Sequence, residues 1–130
     1  LGVCRDVPGL LMRNRVAVLS TRWEGMPLAL IEGMAAGCAV VGSAVPGVRE
    51  LLRDGSDGRL VPAADAEALA DALQALLADD GPGATLAEEA RRRALAEFSR
   101  DRMNARYEAL FASLAAGEGI PAELRADHAG

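Results

Sequence analysis

The chain has 130 residues, a length that suits a single domain. Its formal net charge of -5 argues against general nucleic-acid binding, which depends on a basic surface. All 14 basic residues are arginine, so no lysine in the chain can serve catalysis or phosphate binding. We find no signal peptide and no apolar run long enough to span a bilayer. This predicts a cytoplasmic location, with peripheral membrane contact left open.

Cysteine and histidine do not predict a metal site. The two cysteines, Cys4 and Cys38, are too few for a disulfide framework, and the only histidine, His128, lies near the end of the chain. No cysteine and histidine have the spacing of metal ligands. We therefore expect no metal and no other cofactor. Cys38 lies in an apolar run and is expected to be a small buried residue.

The first half of the chain alternates short apolar runs with helical segments. Three continuous apolar runs predict strands at 16–20, 38–42 and 59–61. Continuous rather than alternating runs are typical of strands that are covered on both faces. Helical segments are predicted at 7–14, 27–36 and 48–53.

The second half is predicted to be helical. Asp65 is a candidate cap for a helix over 66–78, and Ser99 for a helix over 100–116. Thr85, with Glu88 three residues later, predicts a capping box for a helix that ends near 97. Within that helix, the run 91–93 of three arginines is interpreted as a solvated face rather than a phosphate site.

Strands that alternate with helices predict an α/β fold with a parallel sheet covered on both faces. Such sheets commonly have about five or six strands, so three strands suggest the second half of a doubly wound domain. We assign residues 1–116 to this partial domain and 117–130 to a polar, flexible tail. Ligands bind at the carboxyl ends of the strands in such folds, which points to the loops 20–26 and 43–47.

A pair of glutamates, Glu24 and Glu32, marks the loop and helix after the first strand. Pro27 suits the first helical position and Gly37 the position just past the helix end. The helix is apolar on every side except at Glu32, so we expect it to be covered all round, with Glu32 bound to a partner. The unpaired N–H groups at the helix start predict an anion site.

The segment from Leu19 to Leu52 resembles the donor-binding half of a retaining glycosyltransferase with the GT-B fold, of the family 4 type. That family has two glutamates separated by seven residues, an alanine-rich helix end and a small apolar strand. Residues 24–41 match this whole pattern. Further matches are Gly-x-x-Glu at 47–50 and Gly-x-x-Gly-x-Leu-Val-Pro at 55–62. Gly33 replaces the usual alanine, at a cost of roughly 1 kcal/mol in helix propensity.

The resemblance implies roles for individual residues. Glu24 would be the catalytic residue that contacts the donor sugar, and Glu32 would bind the ribose hydroxyls. The backbone N–H groups of the loop would meet the sugar hydroxyls and the diphosphate, except at proline, which only shapes the loop. The residues alone leave open a helix-capping role for Glu24 and a solvated position for Glu32. The donor-binding loop residues are Gly25, Met26, Pro27 and Leu28.

The resemblance also implies a reaction: a sugar passes from a nucleotide-diphosphate donor to an acceptor, with retention of configuration and as in a hexosyltransferase. The acceptor is a saccharide, a lipid-linked glycan or a small molecule. The family carries an N-terminal domain that holds the acceptor, and this domain is missing from the 130 residues, which alone should be inactive. The alternative is a truncated, non-catalytic nucleotide-sugar-binding remnant, or a subunit that needs a partner chain.

Overall fold

The computed structural model describes residues 2–78 and 81–125 and divides into two compact units between Ala96 and Glu97. The larger unit contains a parallel sheet with strand order β1-β2-β3. Both strand pairs are parallel, and each strand lies within one residue of its predicted position. The strands are β1 (Val16–Leu19), β2 (Ala39–Ser43) and β3 (Arg59–Val61).

Helices alternate with the strands, as the sequence predicts. Most of them begin and end within two residues of the predicted bounds. The smaller unit contains the last long helix and a short 3-10 turn at Ala122–Leu124. The helices are α1 (Val7–Met12), α2 (Leu28–Ala36), α3 (Pro46–Leu51), α4 (Ala66–Leu77), α5 (Gly83–Glu97) and α6 (Arg100–Ala115).

The central strand β2 is buried along its whole length, because helices cover both faces of the sheet. Ala39 and Val41 join the apolar cluster on the side of α4 and α5, which also contains Val61, Ala72, Leu76 and Leu86. Gly42 points to the other side, where its neighbours are Val48, Leu30 and Leu52. The sheet is therefore the central layer of an α/β, Rossmann-like fold, as predicted.

Gly33 lies where α2 approaches β1. A Cβ atom at this position would be 2.8 Å from the Cβ of Ala17, closer than such atoms pack. The glycine therefore lets the helix reach the sheet. This contact offsets the helix-propensity cost that the sequence predicts for Gly33.

Two of the three predicted helix caps are confirmed. The Asp65 carboxylate accepts the Ala68 N–H at 2.9 Å, and the Ser99 hydroxyl accepts the Arg102 N–H at 3.3 Å. The capping box at Thr85 is wrong, because α5 begins two residues earlier, at Gly83. The Pro82 carbonyl already accepts the Leu86 N–H at 3.0 Å, so Thr85 lies inside the first turn of the helix.

The arginine run at 91–93 is only partly a solvated face. Arg91 and Arg92 are exposed, whereas Arg93 is 6% exposed and forms an ion pair with the fully buried Asp57. The Arg93 Nη1 lies 2.7 Å from an Asp57 carboxylate oxygen and also donates to the Leu51 carbonyl at 2.6 Å. The interpretation as a solvated face is therefore wrong for Arg93, which attaches α5 to the segment before β3.

Cys38 is confirmed as a buried residue at the start of β2. Its thiol donates to the carbonyls of Leu11 and Asn14 at 3.3 and 3.4 Å, next to the end of α1. Burial raises the pKa of this thiol above its ordinary value.

The smaller unit continues past α6 into the predicted tail. The Ser113 hydroxyl donates to the Gly119 carbonyl at 2.8 Å, so the chain turns back beside the helix end. Residues 126–130 of the predicted tail lie outside the described residues, and the boundary at 116 stays a prediction. Within 2–78 and 81–125, no helix is both long and apolar enough to cross a membrane.

Candidate functional site

The candidate site lies where β1 and β2 end side by side. Leu19 pairs with Gly42 in the parallel register, so the loops that follow the two strands leave the same edge of the sheet. The Thr21 N–H donates to the Ser43 hydroxyl at 3.1 Å, and Ser43 is 4% exposed. This hydrogen bond attaches the beginning of the first loop to the end of β2.

A second contact joins the first loop to α3. Gly47 is the second residue of α3, and a Cβ atom there would lie 2.1 Å from the Gly25 carbonyl oxygen. The same atom would lie 2.5 Å from the Glu24 carbonyl oxygen. Only glycine allows this approach, so α3 packs directly against the backbone that carries Glu24.

The backbone before α2 forms an inverse γ-turn centred on Pro27. Its φ of -80° and ψ of 83° are close to the values of that turn, and the Leu28 N–H donates to the Met26 carbonyl at 3.0 Å. Pro27 is thus the residue that caps α2, one position before the predicted one. The Leu28 N–H, which the sequence predicts to meet a ligand, already donates within this turn, and its contact with a ligand stays a prediction.

Between residues 25 and 29, three other N–H groups have no acceptor within the part of the chain that the structure describes. Two of them, at Gly25 and Met26, are among the predicted donors. The third belongs to Ala29, in the first turn of α2, and the sequence analysis missed it. The rule that the first N–H groups of a helix lack internal acceptors would have found it.

The prediction that α2 is covered all round is wrong. Leu28, Ala29 and Glu32 are exposed on one side of the helix, whereas Leu30, Gly33 and Met34 are buried. Glu32 is therefore solvated and does not require a partner inside the protein. Among the described residues, neither Glu32 nor the partly exposed Glu24 has a hydrogen-bond or ion-pair partner. Both carboxylates can accept hydrogen bonds from a ligand.

Large apolar side chains of the same segment are also exposed. Trp23 is 80% exposed, Met26 68% and Leu28 62%, so the loop presents three of them within six residues. The Thr21 hydroxyl donates to the Trp23 carbonyl at 2.8 Å and thereby fixes the backbone at the indole. Apolar surface with a few placed polar groups is typical of small-molecule sites.

Gly25 has no internal reason to be glycine. A Cβ atom there would meet nothing within 4 Å, and the residue is not among those with positive φ. The space beside its α-carbon is therefore open for a ligand. Together, the loop offers two carboxylate acceptors and several N–H donors, a set that suits a polyhydroxylated anion.

A family model described as "Glycosyl transferases group 1" matches residues 1–79, more than half of the chain. The chain belongs to the glycosyl transferases group 1 family. The match includes β1 to α4, and with them the glutamate pair and Gly47. The predicted membership of a glycosyltransferase family is thereby confirmed.

Individual glycosyltransferases show how far the likeness extends. Phosphatidyl-myo-inositol mannosyltransferase of Mycobacterium leprae (strain TN) is 54% identical over 57 residues, which are 44% of this chain and 15% of that protein. The crystal structure of Anabaena HepE in complex with UDP-glucose has a TM-score of 0.81 at 26% identity. That comparison covers 87% of this chain and 31% of HepE, so the chain spans less than a third of either relative.

A third comparison concerns the fold alone. The C-terminal domain of a glycosyl transferase group 1 family protein, LpcC from Francisella tularensis, has a TM-score of 0.69 at 22% identity. The alignment covers 77% of this chain and 51% of that domain. The glycosyltransferase chain thus has the fold of the C-terminal part of a GT-B enzyme, as predicted.

Proposed function

We propose that the chain is the donor-binding part of a retaining glycosyltransferase of the family 4 type. In the complete protein it would transfer a sugar from a nucleotide-diphosphate donor to an acceptor. The observation that carries the proposal is the segment from the loop after β1 into α2, which carries Glu24, Glu32 and the N–H groups of Gly25 and Met26, all without partners among the described residues. The complex of HepE with UDP-glucose supports a UDP-sugar as the donor class.

The two carboxylates have different environments and different proposed roles. Glu32 is exposed on α2, where its two oxygens can accept from the neighbouring ribose hydroxyls of the nucleotide. Glu24 is partly exposed in the loop itself, where it would contact the donor sugar. A negative charge there would stabilise the positive charge that develops at the anomeric carbon in the transition state.

The backbone supplies the donors for the anionic and hydroxyl oxygens. We assign this role to the N–H groups of Gly25, Met26 and Ala29, which have no acceptor in the described segments. Pro27 has no N–H group, and the Leu28 N–H already donates to the Met26 carbonyl, so both residues would contribute mainly shape. The scheme needs no metal, because N–H groups and arginine or lysine side chains can neutralise a diphosphate.

The experiment compares Glu32→Gln with Glu24→Gln in the natural full-length protein. Hydrogen bonds to charged groups contribute roughly 1.5–3 kcal/mol, so Glu32→Gln should weaken UDP binding about tenfold or more. Glu24→Gln should lower turnover with UDP-glucose and leave UDP binding nearly intact. Calorimetric titration with UDP and with UDP-glucose separates the two roles, and the reverse pattern would refute the assignment.

A matched control uses another exposed carboxylate. Glu88 lies on α5, outside the loops at the carboxyl edge of the sheet. Glu88→Gln removes the same charge and should change neither UDP affinity nor turnover. An equal loss in all three variants would mean that the effect is one of net charge rather than of the site.

The second candidate is a non-catalytic nucleotide-sugar-binding chain, or a subunit that acts with a partner chain. UDP binding without transfer in the full-length protein favours this candidate. The isolated 130-residue chain should bind UDP-glucose weakly or not at all, and sugar transfer by that chain would refute this expectation.

A further inference from the structure

The contact at Gly47 determines the direction of two peptide groups in the loop. The carbonyl oxygens of Glu24 and Gly25 both approach Gly47, where they lie 2.5 and 2.1 Å from the position that a Cβ atom would take. Every described peptide bond is trans. In a trans peptide, the carbonyl and the following N–H point in opposite directions. The N–H groups of Gly25 and Met26 therefore both point away from α3.

Two successive N–H groups that point to one side form a small concave donor site. Such backbone arrangements bind anions, because the partial positive charges of the N–H groups add. Neither N–H has an acceptor in the described part of the chain. The open space at the Gly25 α-carbon lies on the same segment and leaves room for a ligand atom.

We propose that Gly47 is a positioning residue for donor binding. Its α-carbon holds the two carbonyl groups and thereby aims the Gly25 and Met26 N–H groups at an oxygen of the nucleotide-sugar donor. Ser43 supports the same loop from β2, through the hydrogen bond from the Thr21 N–H. This inference rests on the proposed function, because it takes the donor as the ligand of the loop.

The size of the effect follows from the contact distance. The Cβ atom of an alanine at 47 would have to move from 2.1 Å to at least 3.4 Å from the Gly25 oxygen, where ordinary contact begins. The loop and α3 must therefore separate by about 1.3 Å, the difference of these distances. A shift of about 1 Å in a positioned group can lower a rate by about a hundredfold.

The experiment compares Gly47→Ala with Gly83→Ala in the natural full-length protein. Gly83, the first residue of α5, is the matched control, because a Cβ atom there would lie 2.3 Å from the Leu76 carbonyl oxygen. Both variants should lose stability to urea. Measured on the folded protein, only Gly47→Ala should lower UDP affinity, by about tenfold or more relative to the unmutated protein. Only this variant should also turn over UDP-glucose about a hundredfold more slowly. The Gly83→Ala protein should keep the wild-type kcat, KM and UDP affinity.

A milder variant keeps the test informative if Gly47→Ala does not fold. Ser43→Ala removes one support of the loop without a clash, and should weaken UDP binding several-fold. Wild-type UDP affinity and kcat in folded Gly47→Ala overturn the inference, and so do equal losses in the Gly83→Ala control. If Gly47→Ala is unfolded, wild-type affinity in Ser43→Ala overturns it. Failure of the unmutated protein to bind UDP or UDP-glucose refutes the proposed function itself.

Discussion

Breaking the buried ion pair of Asp57 and Arg93 should strongly destabilise the larger unit, because it leaves one charge buried without its partner. The two side chains are 1% and 7% exposed, so solvent hardly screens their charges. The Arg93 guanidinium contacts both the Asp57 carboxylate and the Leu51 carbonyl. The other Asp57 oxygen accepts the Arg53 N–H at 2.8 Å. Removing the cation leaves a buried carboxylate with a backbone N–H as its remaining recorded donor.

We expect Arg93→Met to lower the free energy of unfolding by about 3–5 kcal/mol, the usual effect of breaking a buried pair. Folded domains have about 5–15 kcal/mol in total, so the variant should be close to unfolding. With a urea m-value of about 2 kcal/mol/M, the midpoint should fall by about 2 M. Urea denaturation followed by circular dichroism measures this shift.

A double-mutant cycle tests whether the loss comes from the pair. Asp57→Asn keeps an acceptor for the Arg53 N–H but leaves the guanidinium without its carboxylate. The double variant removes both charges and should therefore cost clearly less than the sum of the two single variants. Arg92→Met is the matched control on the same helix, since it removes an exposed pair with Glu89. If Arg93→Met is no more sensitive to urea than Arg92→Met, the reasoning is wrong.

The remaining predictions concern single residues. Gly33→Ala should destabilise the protein by about 1 kcal/mol, because overpacking against Ala17 costs about 1–3 kcal/mol and outweighs the better helix propensity of alanine. Adding Ala17→Gly to this variant should restore the urea midpoint. Gly25→Ala should leave the urea midpoint unchanged but weaken UDP binding in calorimetry, since only a ligand fills that space. Ellman's reagent should modify the exposed Cys4 quickly and the buried Cys38 slowly. Burial raises the Cys38 pKa above its ordinary 9.0. The stability that the buried neutral thiol contributes should therefore be fully present below about pH 9 and lost as the pH rises through the raised pKa. The urea midpoint of Cys38→Ala should change less at alkaline pH than that of the unmutated protein.

The sequence predicts the order of strands and helices because each apolar run is short and bounded by turn residues. It does not predict which side of α2 is solvated, since a continuously apolar helix has no period that marks a buried face. For Arg93, by contrast, the sequence does contain a period that marks a buried face. It follows Leu86 and Ala90 by seven and three residues, at the spacing of a buried stripe. The period could have identified it, but a run of three arginines suggests a solvated face.

The candidate site could be predicted as a loop but not as a set of hydrogen-bond donors. The glutamate pair and the glycine beside it are visible in the sequence. Whether the Leu28 N–H is available depends on the γ-turn at Pro27, which is set by the backbone angles of one residue. The role of Gly47 depends on a contact between α3 and a loop about 20 residues earlier in the chain, which no local pattern reveals.

The γ-turn at Pro27 also affects the entropy of ligand binding. The proline ring restricts φ, and the bond between Leu28 and Met26 is already made without a ligand. Fixing the backbone of one residue costs about 1–2 kcal/mol in conformational entropy, and here that loss occurs during folding rather than at binding. A loop with a more flexible residue at this position could present the same donors and acceptors, yet would lose more freedom each time it captured a donor.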